Sequence, residues 1–180
     1  MQDALQIRNM SKAFGGAVAL DSVSLNIKRG ETHGLLGSNG SGKSTLIKIL
    51  SGFHEPSIGA EAYLFGKKLR FPLNGSMSRS LGMAFVHQTL GLIPDLTVTE
   101  NFKIGDLSTK NNWSINWKDE HRKTKAIFDK YNLQINPTSA VSVLSPVEQA
   151  LLSIVRAYEE LNLGDAKDEE KAGVLILDEP

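Results

Sequence analysis

Residues Gly37-Ser38-Asn39-Gly40-Ser41-Gly42-Lys43-Ser44 fit the pattern G-x-x-x-x-G-K-[ST] and constrain this chain more than any other segment. Such a loop needs a strand before it and a helix after it, because backbone N–H groups and the positive helix end must converge on one anion. The flanking residues offer both. Thr32 to Leu36 is a short strand candidate, and Leu46, Ile49, Leu50 and Phe53 recur at helical spacing after Thr45. Glycine is required where a Cβ would block the approach of phosphate to backbone. Ser38, Asn39, Gly40, Ser41 and Gly42 are therefore candidates for a phosphate cradle, with Thr45 just behind it. Lys43 would neutralise β- and γ-phosphate charge, and Ser44 would coordinate Mg²⁺. The competing reading is a flexible glycine turn with a solvated lysine.

A second segment points the same way. Val174-Leu175-Ile176-Leu177-Asp178-Glu179 is an apolar strand that ends in two carboxylates. A strand buried on both faces of a parallel sheet delivers side chains at its carboxyl end, where open α/β proteins place their ligands. Asp178 would reach Mg²⁺ directly or through water, and Glu179 would polarise a water for attack on the γ-phosphorus. Alternatively, the two acids merely end a strand at the surface.

The 180 residues are 22% charged and 41% hydrophobic, which fits a folded globular class and excludes disordered and collagen-like ones. Twenty basic residues balance twenty acidic ones, so no global field attracts nucleic acid or anionic lipid. Phosphate binding must then be local. Cysteine is absent, which removes disulfides and thiolate metal sites. His33, His54, His87 and His121 form no metal-ligand grouping, so solvated or packing roles are expected. No apolar run approaches the roughly 18–20 residues that cross a bilayer, and the N-terminus lacks a signal-peptide layout. A cytosolic location is expected.

Along the chain, Leu5 to Met10 and the alternating Val23, Leu25 and Ile27 read as strands around a Gly15-Gly16 turn. Ala62 to Phe65 and Met83 to Val86 are further strand candidates. From Val98 to Tyr131 helical periodicity dominates, with Trp117, Thr124, Ile127 or Phe128, and Tyr131 on one face behind Asn116 as a cap. Trp113 and Trp117, four apart, cover an apolar face rather than a ligand. Ser145 opens another helix, with Leu151, Ile154 or Val155, Tyr158 and Leu161 on its apolar face. The charged run Asp165 to Lys171 reads as a solvated loop or fraying helix.

The order of these motifs resembles the nucleotide-binding domain of an ATP-binding cassette (ABC) ATPase, and the resemblance covers nearly the whole chain. It implies an α/β P-loop fold of ABC type: a central, mainly parallel sheet with helices, an N-terminal antiparallel β part and a helical insert. Residues 1–180 would then be a partial domain, with 1–96 and 172–180 as the RecA-like core, about 97–160 as the helical subdomain and 161–171 as a charged insertion. Phe14 matches the aromatic that stacks on adenine, or else is a core Phe. Gln88 matches the glutamine that contacts Mg²⁺ or the attacking water and senses the membrane domain. Leu144-Ser145-Pro146-Val147-Glu148-Gln149 lies where the family carries its signature, with Arg156 at the position of an arginine in the following helix. In that family, the signature of one domain caps the γ-phosphate held by another. Pro146 and Val147 depart from the small residues usual there. Two readings stay open: a signature in which Ser145 donates to nucleotide, or a capping box, Ser145-x-x-Glu148, with Pro at the first helical position.

Within the family, His33-Gly34-Leu35-Leu36-Gly37 and Leu96-Thr97-Val98-Thr99-Glu100-Asn101 resemble the ATPases of bacterial simple-sugar importers. That implies an ATP- and Mg²⁺-dependent ATPase on the inner face of the cell membrane. Its implied partners are integral membrane permease subunits, a second nucleotide-binding domain (homodimer or tandem half) and a solute-binding protein, with no nucleic acid. The surface after Gln88, including Leu92 to Asn101, would meet the membrane partner. The family continues past the equivalent of Pro180, so a truncated domain or half of a tandem protein, with slow or absent turnover of its own, is expected. A soluble ABC ATPase of translation or DNA repair, and an ATP-binding regulatory fragment without turnover, are the alternatives.

Overall fold

The computed structural model describes residues 3–107, 115–162 and 172–178. They fall into two compact units, one from the described residues of Met1–Phe85 and Ala157–Asp178, the other from those of Val86–Arg156.

The first unit is built on a long antiparallel hairpin, β1 (Asp3–Phe14) and β2 (Ala17–Lys28). Gly15 makes the reversal at φ 58°, where a Cβ would be strained. Irregular register interrupts the ladder at Asn9 and Ser22, both at positive φ. Hydroxyls satisfy the backbone there: Asn9 N–H donates to Ser24 Oγ at 3.0 Å and Ser22 N–H to Ser11 Oγ at 2.8 Å. β3 (Glu61–Leu64) pairs antiparallel with β1, and β4 (Lys67–Lys68) with β3, giving the order β2-β1-β3-β4.

Helix α1 (Lys43–Leu50) buries Leu46, Ile47, Ile49 and Leu50, the first, third and fourth of which join Leu5, Ile7, Met10 and Leu20 of the hairpin in one core. Full burial of each such side chain is worth about 1.5–3 kcal/mol, which holds a helix too short to persist alone. Phe53, read from sequence as part of that face, lies beyond the helix and is 70% exposed, because Gly52 at φ 85° turns the chain first. Helix α2 (Gly75–Ser80), capped by Asn74 Oδ1 on Met77 N–H at 2.8 Å, gave no sequence signal, being polar and only one turn and a half long.

A two-stranded sheet pairs β5 (Met83–Val86) with β6 (Val174–Leu177). The expected strand at Thr32–Leu36 is absent. That segment carries no strand structure and is exposed, with Leu36 93% accessible. A strand exists only through lateral hydrogen bonds, and no neighbour among the described residues supplies them.

The second unit is helical: α3 (Val98–Leu107), α4 (Trp117–Lys130), a 3₁₀ turn at Val141–Val143 and the start of α5 (Pro146–Asn162). Val98, Phe128, Ile135, Val141 and Leu152 make its core. Thr97 and Glu100 form a capping box on α3: Glu100 Oε2 accepts from Thr97 N–H and Oγ1–H, both at 2.7 Å. Those bonds hold the Glu100 carboxyl below its ordinary pKa. Asn116 Oδ1 caps α4 as expected, accepting from Asp119 N–H at 3.3 Å. The apolar face of α5 is one residue away from the expected one. Leu152, Ser153, Val155 and Ala157 are buried, whereas Leu151 and Tyr158 are exposed. Trp113 and the run Asp165 to Lys171 lie outside the described residues.

Candidate functional site

The site begins with an uncapped helix. The N-cap of α1 is Gly42 at φ 92°, with no side-chain cap and no acidic residue in the first turn. The first intrahelical bond runs from Leu46 N–H to Gly42 O, and among the described residues the Lys43, Ser44 and Thr45 N–H groups have no partner. Three donors and the positive helix end thus face outward together. Gly42 is there for two reasons: its positive φ, and the space it leaves, since a Cβ would stand 2.4 Å from Ala19 O and 2.7 Å from Leu20 Cδ2 on β2. Gly42→Ala should therefore displace the loop from the hairpin, at about 1–3 kcal/mol of strain, and weaken nucleotide binding in a titration. An unaltered affinity would show that this close approach is not needed.

Around that helix end the loop closes on itself. Gly37 leaves room for Ser41, because a Cβ at Gly37 would lie 2.5 Å from Ser41 Oγ. Lys43 Nζ donates to Gly37 O at 2.8 Å and Ser38 O at 3.1 Å, which holds its ammonium across the mouth of the loop. Ser44 Oγ–H donates to Asp178 Oδ1 at 3.5 Å, a long bond that joins residues 134 apart in sequence. Asp178 follows β6, so the loop and the strand end that sequence reading singled out separately do meet. A hydroxyl and a carboxylate oxygen are the hard donors that Mg²⁺ takes. Among the described residues no group of three or more His, Cys, Asp or Glu could hold a metal, so water and phosphate oxygens would complete such a shell.

Phe14 is half-exposed at the hairpin tip, rather than a core residue. Its ring meets His54 edge-on at 5.0 Å between centroids, and Lys12 Nζ stands 5.2 Å from its centre. Sequence reading missed Lys12 as a companion, although residues two apart on a strand share a face. His54 has the packing role expected of it.

In the second unit Gln88 is exposed just after β5. Arg156 donates to Gly91 O at 3.1 Å and Leu90 O at 3.2 Å, pinning the loop that follows Gln88. The expected surface Leu92 to Asn101 is not a surface throughout. Val98, Thr99 and Asn101 are buried, and the exposed part is Ile93, Pro94 and Asp95. Asn101 is a clasp: its Oδ1 accepts from Ile93 N–H at 2.8 Å, and its Nδ2 donates to Ile93 O and Thr97 O at 3.0 Å and more weakly to Leu96 O. Ser145 lies immediately before α5 and bonds to Glu148, in the geometry of a capping box. Glu179 lies outside the described residues.

An open helix end behind a glycine loop, braced by a lysine and faced by a strand-end aspartate, is the arrangement of a P-loop protein. The family model described as ABC transporter matches residues 20–180, and the chain belongs to that family. It is 36% identical to the ribose import ATP-binding protein RbsA of Caldanaerobacter subterraneus subsp. tengcongensis over 180 residues, covering 100% of this chain and 34% of that protein. It is 37% identical to the L-arabinose transport ATP-binding protein AraG of Geobacillus stearothermophilus, covering 98% of this chain and 32% of the relative. The chain thus spans about a third of the length of the curated relatives it matches. Among solved structures, the ADP conformation of MJ1267, an ATP-binding cassette of an ABC transporter, superposes with a TM-score of 0.78 at 23% identity, over 99% of this chain and 82% of that one. The dimeric cassette MJ0796 gives 0.70 at 22%, over 98% and 88%. At these identities the structures show the fold.

Proposed function

We propose that this chain is the ATP-binding and ATP-hydrolysing part of an importer of small solutes, with sugars as the solute class, working at the cytoplasmic face of a membrane through separate permease subunits. The observation that carries the reading is the meeting of Ser44 with Asp178 beside the open N-terminus of α1. The sugar assignment comes from the relatives, whose names specify ribose import, galactose/methyl galactoside import and L-arabinose transport.

Phe14, with Lys12 beside its ring, offers adenine a flat apolar surface at the hairpin tip. The N–H groups at the start of α1 and the backbone of Ser38 to Gly42 receive the phosphates, while Lys43 turns from the Gly37 and Ser38 carbonyls toward the β- and γ-phosphates. Ser44 and Asp178 would hold Mg²⁺, which when bound supplies charge neutralisation on the phosphate oxygens. Glu179, following Asp178 in sequence, accepts the proton of the attacking water, and Gln88 helps to orient that water or the metal. Positioning and charge carry phosphoryl transfer, and these are what the named groups supply. The exposed Ile93-Pro94-Asp95 tip is the part of the helical unit offered to a permease. A second cassette, as in the dimeric MJ0796 structure, is its other partner.

Glu179→Gln tests the reading. Nucleotide binding should persist while phosphate release at saturating MgATP falls by about 100-fold or more, the usual weight of a general base. Unchanged hydrolysis would remove Glu179 from the reaction, and no MgATP binding by the unaltered protein would remove the reading itself.

A further inference from the structure

The helical unit holds a cleft of about 480 Å³ between α4 and the segment 134–138, a size that suits a small molecule. Its α4 wall is His121, Arg122 and Lys125. Lys125 stands four residues on from His121 and three from Arg122, so it neighbours both on the helix surface. The facing wall alternates. Gln134, Asn136 and Thr138 are exposed, whereas Ile135 and Pro137 between them are buried and give the cleft an apolar floor. None of the described residues that line it is an acid.

A fully buried residue of α3, Thr99, ties the two walls together. Its N–H and its Oγ1–H both donate to Pro137 O at 3.0 Å. With that hydroxyl proton spent, Thr99 Oγ1 accepts from His121 Nδ1 at 2.8 Å, which assigns the ring hydrogen to Nδ1. Nε2 is then the ring nitrogen left for a ligand: an acceptor for a hydroxyl when the ring is neutral, a donor to an anion when it is charged. Asn136 is committed in the opposite sense. Its Oδ1 accepts from Thr138 N–H at 3.0 Å and Thr138 Oγ1–H at 2.9 Å, so its Nδ2 hydrogens are what it has to give. Arg122 and Lys125 pair with Asp119 and Asp129, but such pairs at a solvated surface are weak and exchange readily. Asp119 also keeps Lys123 at 2.7 Å when Arg122 turns away.

We propose that this cleft is a second ligand site, separate from the loop before α1, and that it takes a sugar phosphate. Arg122 and Lys125 match the charge of a phosphate monoester, which is close to a dianion at neutral pH, whereas a single carboxylate would leave one cation unmatched. The carboxamides of Gln134 and Asn136 and the Nε2 of His121 are the donors and acceptors that hydroxyl groups need. Ile135 and Pro137 receive the C–H face of the sugar ring, which buries carbon against carbon. The site goes beyond the ATPase reading and stands without it, since none of its residues belongs to the nucleotide site. Under the importer reading, the ligand is what phosphoryl transfer to a hydroxyl of an imported sugar produces, so the chain would sense a product of the solute it brings in.

Calorimetric titration of the full-length protein with ribose 5-phosphate and galactose 6-phosphate tests the site, with ribose, galactose and inorganic phosphate as separate arms. At least one sugar phosphate should bind with a Kd of about 0.1 mM or below, and inorganic phosphate and the free sugars about tenfold more weakly or worse. The double variant Arg122→Gln with Lys125→Gln should lose about tenfold or more in sugar-phosphate affinity. Its thermal midpoint should not move, because both side chains are exposed. No heat from either sugar phosphate at about 10 mM overturns the proposal. Inorganic phosphate binding as tightly as both sugar phosphates also overturns it, since the hydroxyl-recognising wall would then do nothing. Undiminished binding by the double variant overturns it too, by placing the phosphate elsewhere on the chain. MgATP is titrated separately: its failure to bind would sink the ATPase reading and leave this site untouched.

Discussion

Lys43→Ala should cost about 100-fold or more in MgATP affinity, near 3 kcal/mol, the weight of charge-assisted bonds to two phosphates. The ammonium is held across the loop mouth by Gly37 O and Ser38 O, so it is preplaced rather than recruited from solvent. Its loss removes the charge that turns from those carbonyls to the β- and γ-phosphates. Calorimetric titration with magnesium nucleotide checks the affinity. The thermal midpoint without nucleotide should change little, because the brace lies at the surface. An affinity within about threefold of the unaltered protein, under half the energy expected, would mean that the backbone donors alone hold the nucleotide.

Phe128→Ala should destabilise the helical unit by about 3–5 kcal/mol. Phe128 is fully buried, meets Phe102 edge-on at 5.6 Å between centroids, and packs with Val98, Ile135, Val141 and Leu152. Phe128 lies on α4 and these neighbours come from α3, α5 and the segment between α4 and α5, so a void at Phe128 is shared by every helix of that unit. Neither Val98 nor Val141 has the length to fill it. Both tryptophans of the chain, Trp113 and Trp117, belong to the sequence of this unit, which makes their fluorescence a specific reporter. In urea the fluorescence midpoint should fall well below that of the unaltered protein. A shift worth less than about 1 kcal/mol would show that the helices close over the space, and that the core is less tightly packed than the contacts around Phe128 imply.

Most of the first unit was legible because its signals are local. Alternating Val23, Leu25 and Ile27, the Gly15-Gly16 turn and the Lys43-Ser44-Thr45 helix start each depend on residues close in sequence. Thr32–Leu36 misled for the opposite reason: its composition suits a strand, but a ladder needs a neighbour that composition cannot supply. On α5 the doublets Leu151-Leu152 and Ile154-Val155 allow two adjacent faces, and periodicity alone cannot choose between them. Packing does, through Leu152. At the site, Ser145-x-x-Glu148 was readable both as a signature and as a cap, and the hydrogen bonds show the cap formed. The pairing of Phe14 with His54 was invisible, since nothing in a sequence ties residues forty apart without a periodic link.

The Asn101 clasp has a mechanical consequence. One carboxamide buried on α3 holds both backbone groups of Ile93 and the carbonyl of Thr97, so the protruding Ile93-Pro94-Asp95 tip is welded to the helix at its base. A push on that tip is delivered to α3 as displacement instead of being absorbed by bending of the loop. Stiffness of this kind is what a transmission rod requires, and Leu96 N–H on Ile93 O and Ser142 N–H on Pro94 O add to it from the backbone.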